Sequence, residues 1–303
     1  MENSLFCDEA LLSSPPSSPA AAVSGAVGEE EGESLLRGCL RRQHGFLPRE
    51  DYVEKIRLSP DLSRLRLRAA RWIVVARLHL DLALGTAFSA VNLLDRFVSM
   101  YTNLVRPGSL FFSLSGAGIL TVDLLLQKWE GWMMELLSLA CLSIAAKFDE
   151  VVVSSLHSFP VEDFDHSFHP NAIQRMELTV LRALDWRLNC VTAYSYVGPL
   201  TCCWGTSLHP HLRRAVCDRT AELLSGATLD LEFLQFSPCV VALSATRCAL
   251  EELALPEPAG FISDLISLIP HEHIVRKPPH PLAPPRLPID LIRFPAIAVC
   301  YRR

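Results

Sequence analysis

Residues 135–151, ELLSLACLSIAAKFDEV, are apolar on nearly every face of a helix until Lys147. A helix with no polar side has none to give to water, so other helices must enclose it at the centre of a bundle. The flanking sequence supplies them. In RLRLRAARWIVVARLHLDL, Leu65, Ala69, Trp72, Val75 and Leu78 recur at three- and four-residue steps. The same rhythm runs through Phe88, Val91, Leu94 and Phe97 or Val98 in TAFSAVNLLDRFVSMY. IQRMELTVLRALDW is a further amphipathic helix. SLLRGCLRRQHGFLPREDYVEKIRL reads as a short helix with Leu35, Leu36 and Leu40 on one face, a proline-marked turn, and another helix starting at Pro48. No strand alternation interrupts the pattern, so residues 34–191 are predicted to form a compact all-α bundle.

From Thr192 a second run of helical patterns follows: TAYSYVGPL, HPHLRRAVCDRTAELLSGA, TLDLEFLQF, SPCVVALSATRCALEEL and GFISDLISLI. Similar lengths and short breaks, without a strict repeat, suggest a second, related bundle over 192–274. Two tails frame the pair. Residues 1–33 are rich in Ser, Pro, Ala, Gly and Glu, bury too little apolar surface to offset chain entropy, and are expected to be disordered. Residues 275–303 are Pro-rich and cannot continue a helix.

The net charge of −5 argues against a nucleic-acid binder with a broadly basic surface. The opening residues are acidic, and no positive n-region precedes an apolar run, so no signal peptide is expected. The ten cysteines include no C-x-x-C pair and read as reduced thiols of an intracellular protein, mostly small core residues. There is no Gly-rich phosphate loop and no convergent Ser/His/Asp arrangement. His271 and His273 in PHEHI, and His209 and His211 on either side of a proline, read as solvated loop residues. No catalytic residue, metal or cofactor is expected.

The front tail carries Leu5-Phe6-Cys7-Asp8-Glu9. On an extended strand Leu5, Cys7 and Glu9 share a side, and an apolar groove with a basic or backbone N–H contact would take all three. Ser14-Pro15 and Ser18-Pro19 follow. They fit plain disordered linker, or sites of proline-directed phosphorylation that would each add about −1.5 to −2 charge beside the motif.

AVNLLDRFVS, ACLSIAAKFDE, RMELTVLRALDW and Trp72 in RLRLRAARW together resemble the cyclin box, over roughly residues 35–270. With Leu5 to Glu9 in front and FLPREDYV at 46–53, the chain resembles the plant D-type cyclins. The resemblance implies two tandem cyclin-box bundles, the second incomplete, and a regulatory subunit of a cyclin-dependent Ser/Thr kinase rather than an enzyme. It implies kinase activation and recruitment of a retinoblastoma-related protein at the G1-to-S step, in nucleus and cytoplasm. Kinase-inhibitor proteins are further implied partners; nucleic acid and membrane are not.

The resemblance also assigns residues. Arg66 and Asp95 fall where the family has a buried ion pair, and Leu136 where it has a core leucine of the central helix. Lys147 and Glu177 fall where it has the pair that faces the kinase. Phe148, Leu181, Trp186 and Leu188 would add apolar contact on that face, which in the family packs on the kinase's regulatory αC helix. Leu5, Cys7 and Glu9 would dock on the pocket of the retinoblastoma-related protein. A kinase-incompetent scaffold that binds only the pocket, and a cyclin-fold transcription factor, are the alternative readings.

The sequence departs from the family in three places. The docking patch many cyclins carry on the first core helix corresponds to Leu65, Arg68, Ala69 and Trp72, so Leu65 and Trp72 survive and an arginine stands in an apolar place. Residues 102–127, including RPGSLFFSLSGAGILTVDLLLQ, stand where a connection of about ten residues is expected. Their length suits a membrane span, but Asp123 and the bundle on either side oppose one. Translation of an unspliced intron, with borders near Val105 and Gln127, fits better. The second bundle also stops early, with Val275 at a similar border before the Pro-rich tail.

Overall fold

The computed structural model describes residues 29–101, 129–151, 164–203 and 209–253, and among these every regular element is a helix. The α-helices are α1 (Glu29–Gln43), α2 (Tyr52–Arg57), α3 (Pro60–His79), α4 (Leu84–Tyr101), α5 (Gly131–Asp149), α6 (Pro170–Ala183), α7 (Val197–Cys202), α8 (Pro210–Leu229) and α9 (Pro238–Glu252). Short 3₁₀ turns at His44–Phe46, Ala193–Tyr196 and Leu231–Gln235 join them. Proline opens α3, α6, α8 and α9, where its missing N–H costs nothing because the first turn has no intrahelical acceptor. The motif at Leu5 to Glu9, Ser14, Ser18, the segment 102–127, His271, His273 and the tail 275–303 lie outside the described residues.

The predicted central helix is α5. Every residue from Met133 to Ala146 is buried, and α3, α4 and α6 pack around it. It is long and apolar enough to cross a membrane, but it is the core of this bundle. Leu136 lies in that core with Leu137, Leu139 and Leu142.

On α3 the buried stripe is not the one the periodicity suggested. Leu62, Ala69, Ala70, Trp72, Ile73 and Ala76 are buried with Arg66, while Val75 and Leu78 are exposed. Apolar residues lie on several sides of this helix, so spacing alone does not choose a face. Packing chooses the one where Ala69, Ala70 and Ala76 let neighbouring backbones approach.

Near the start of the chain, Pro48 precedes the turn to α2, which begins at Tyr52 rather than at the proline. The first helix begins at Glu29, inside the stretch read as tail, and Leu35 is exposed while Leu36 and Leu40 are buried. The buried side of α1 does not join the core around α5. Leu36, Cys39 and Leu40 pack with Tyr196, Val197, Leu200, Val240 and Leu243 in a second cluster, formed mainly by α7, α8 and α9. Gln43 is fully buried there, and its Oε1 accepts from the Tyr196 hydroxyl at 2.9 Å and the Cys239 N–H at 3.3 Å. TLDLEFLQF, read as helical, splits between the end of α8 and a 3₁₀ turn capped by Asp230.

The two glycines of α1 should respond oppositely. A β-carbon on Gly32 would lie 2.9 Å from Cys202 Cβ and 3.1 Å from the Cys203 backbone nitrogen, whereas one on Gly38 would meet nothing within 4 Å. Gly32→Val is expected to lever α1 off α7 at a cost of about 1–3 kcal/mol. Gly38→Ala should stabilise by roughly 0.5–1 kcal/mol through helix propensity. Urea denaturation of the full chain measures both.

Candidate functional site

Arg66 on α3 and Asp95 on α4 form a bidentate pair, Nε to Oδ1 at 3.0 Å and Nη2 to Oδ2 at 2.8 Å, with both side chains 2% exposed. The Tyr52 hydroxyl donates to Asp95 Oδ1 at 2.8 Å, and Arg66 Nη1 donates to the Leu229 carbonyl at 2.9 Å. Burial, then the Asp95 charge, push the Tyr52 hydroxyl well above its ordinary pKa, so it stays a donor. The pair thus joins α2, α3 and α4 to the end of α8.

Lys147 closes the last turn of α5, where a cation suits the negative helix end. Its Nζ donates to both carboxylate oxygens of Glu177 on α6, each at 2.7 Å. The pair is asymmetric: the lysine side chain is 46% exposed and the glutamate side chain 10%. Phe148, the next residue, is 52% exposed, and Trp186 beyond α6 is 62% exposed. Leu181 and Leu188 are half-buried against the first core. Leu178, beside Glu177, and Val151, beyond Phe148, also expose apolar surface that sequence reasoning did not single out.

The position of Trp186 follows from how α6 ends. The Trp186 N–H donates to the Leu181 carbonyl at 2.9 Å and the Asp185 N–H to the Arg182 carbonyl at 3.2 Å, the paired bonds of a Schellman turn. Asp185 takes the left-handed position at φ 51°, which an aspartate tolerates, and Trp186 follows at φ 57°. A tryptophan in that region is held there at a cost of roughly 1 kcal/mol or more. No glycine marks this turn, so the sequence carried no signal for it.

The residual docking patch is covered. Trp72 is buried, and the Phe164 ring lies 4.5 Å from it, centroid to centroid, tilted by 34°. Arg68 is held by two carboxylates, with Nη1 2.8 Å from Asp165 Oδ2 and Nη2 3.2 Å from Glu135 Oε1. That guanidinium holds the Asp165 carboxyl below its usual pKa. The Glu135 carboxylate, on buried α5, also accepts from the Asp165 N–H at 3.3 Å and lies 3.0 Å from His166 Nδ1. Leu65 remains half-buried beside Phe164. The arginine in an apolar place therefore belongs to a clasp that seats the chain's own segment 164–166 on this face.

His209 caps α8, its Nδ1 accepting from the His211 N–H at 3.4 Å, and the two rings stack at 5.3 Å. Among the described residues, no group of three or more His, Cys, Asp and Glu side chains is placed to hold a metal. The cysteines among them are free thiols.

Among the described residues, fold and face define an all-helical protein with exposed apolar side chains beside an ion pair. Residues 36–189 match the family "Cyclin, N-terminal domain". The chain is 30% identical over 229 residues to Cyclin-D2-1 of Oryza sativa subsp. japonica, covering 75% of this chain and 62% of that one. It is 39% identical over 181 residues to Putative cyclin-D7-1 of the same organism, covering 59% and 43%. Against Cyclin-D1-1 of Arabidopsis thaliana the identity is 29% over 256 residues, covering 82% and 66%. The chain thus spans about half to two thirds of the length of these relatives. It belongs to the cyclin family, in its plant D type.

Proposed function

We propose that this chain is the regulatory subunit of a cyclin-dependent Ser/Thr kinase, activating it and bringing it to a retinoblastoma-related protein to promote the G1-to-S transition, in nucleus and cytoplasm. The observation that carries the reading is the Lys147–Glu177 pair, which joins the last turn of α5 to the middle of α6, with Phe148 exposed in that last turn and Trp186 exposed beyond the end of α6. An apolar shelf beside an ion pair is suited to receive an amphipathic helix, with Glu177 free to accept from the partner's N–H groups as well. Pressing the kinase αC helix inward completes the Lys–Glu ion pair that phosphoryl transfer requires. Leu5, Cys7 and Glu9 select the substrate by docking on its pocket. Kinase-inhibitor proteins act on the assembled pair.

The test is co-purification of the full chain with a cyclin-dependent kinase, followed by phosphorylation of a pocket-protein fragment and of an unrelated peptide. Kinase binding and activity on both substrates are expected, with Cys7→Ala and Glu9→Ala slowing only the pocket fragment. A chain that leaves such kinases unbound and inactive refutes the proposal. Pocket binding without kinase binding identifies a scaffold instead.

A further inference from the structure

Helix α4 starts at Leu84, and the residue before it is Ala83, which has no side-chain oxygen to satisfy the orphan N–H groups of a first turn. Nor does that first turn carry an acidic residue. The missing acceptor comes from Glu150, at the far end of α5. Its Oε1 accepts from the Ala83 N–H at 2.8 Å and from the hydroxyl of Thr86, which is buried. The preceding residue, Asp149, bonds Ser89 one turn further along α4, and its burial there raises the carboxyl pKa. Two successive carboxylates at the C-terminal end of α5 thus face the first two turns of α4, the positive end of that helix.

The consequence is geometric. Glu150 is where α5 stops: its backbone is extended, at φ −103° and ψ 144°, while its N–H still closes the helix on the Ala146 carbonyl at 3.0 Å. The corner from Lys147 to Val151 is therefore pinned at both ends, to α6 by Lys147–Glu177 and to α4 by Glu150. Phe148 stands between the pins, and Val151 beyond them is 93% exposed.

We infer that Glu150 is a positioning residue for the kinase-binding face: it caps α4 with its side chain and thereby fixes the corner that presents Phe148 and Val151. This rests on the function proposed above, and adds a residue that acts through the corner it fixes and sets how firmly the face holds a kinase.

The experiment uses the full chain, free and bound to a cyclin-dependent kinase, as wild type, Glu150→Ala, Glu150→Gln, Thr86→Val and Tyr196→Phe. Tyr196→Phe removes a buried hydrogen bond in the other cluster and serves as a stability control. Amide hydrogen exchange over residues 147–151 and 83–86 should quicken roughly fivefold in Glu150→Ala, the scale of a lost cap. Glu150→Gln, which still accepts, should stay near wild type, and Tyr196→Phe should leave both segments unchanged. Dissociation from the kinase should quicken by a similar factor in Glu150→Ala, and in Thr86→Val if the alanine variant does not fold. Unchanged exchange at 147–151 overturns the inference, as does faster exchange with a wild-type dissociation rate. A wild-type chain that binds no kinase refutes the proposed function instead, and the exchange measurement then decides the role of Glu150 alone.

Discussion

Asp95→Ala is expected to lower stability by about 3–5 kcal/mol, because it strands a guanidinium in the interior. Arg66 would keep its bond to the Leu229 carbonyl but lose both carboxylate contacts, and the Tyr52 hydroxyl would lose its acceptor. A loss of that size should drop the thermal midpoint by on the order of 10 °C in a chain of this length. Arg66→Ala should cost a similar amount. The informative variant replaces the whole network: Tyr52→Phe with Arg66→Met and Asp95→Leu leaves no charge unpaired and should recover most of the loss, since apolar groups of similar volume often replace a buried pair at little cost. Thermal unfolding followed by circular dichroism compares the four chains. If the triple variant is as unstable as Asp95→Ala, the pair does more than satisfy its own charges.

Glu177→Ala should weaken association with a cyclin-dependent kinase by about 30-fold to several thousand-fold, the span of 2–5 kcal/mol for removing a buried hydrogen-bonded charge at an interface. The same exposure asymmetry predicts the opposite order for the free protein. Lys147→Ala leaves a mostly buried carboxylate unpaired, at about 1–3 kcal/mol. Glu177→Ala leaves an ammonium that water can reach, and should cost less. Reversing the pair, Lys147→Glu with Glu177→Lys, restores the internal attraction but presents the wrong charge to the partner. Calorimetric titration with kinase should find that reversed chain folded and non-binding. Recovery of binding would mean that the pair matters only as an internal strut.

How much of this was legible in the sequence depended on how much choice each segment left. Helix α5 left none, because a segment apolar on all sides can only be enclosed. Helix α4 left little, with Phe88, Val91, Leu94 and Phe97 all buried as the rhythm required. Helix α3 left a great deal, and its burial was settled by neighbours whose sizes no local pattern records. Arg66, Asp95, Lys147 and Glu177 were found only because whole phrases around them resembled a family; their spacings of 29 and 30 residues carry no pattern of their own. Glu135 carries no signal of its own at the polar start of an apolar run, and only the fold brings Arg68, Asp165 and His166 around it. The turn at Asp185 and Trp186 was invisible because the usual glycine is absent.

The allegiance of the first helix sets what can be cut from this protein. The stretch matching the family domain begins within α1, at Leu36, and ends at residue 189, yet the greasy side of that helix rests on segments after residue 190. A fragment trimmed to the match would lose the first seven residues of α1 and would keep Leu36, Cys39 and Leu40 without most of the cluster they pack in. The guanidinium of Arg66 would lose its hold on Leu229 as well. The stretch that matches the family and the stretch within which the first helix packs are different lengths of chain, and the second is the longer.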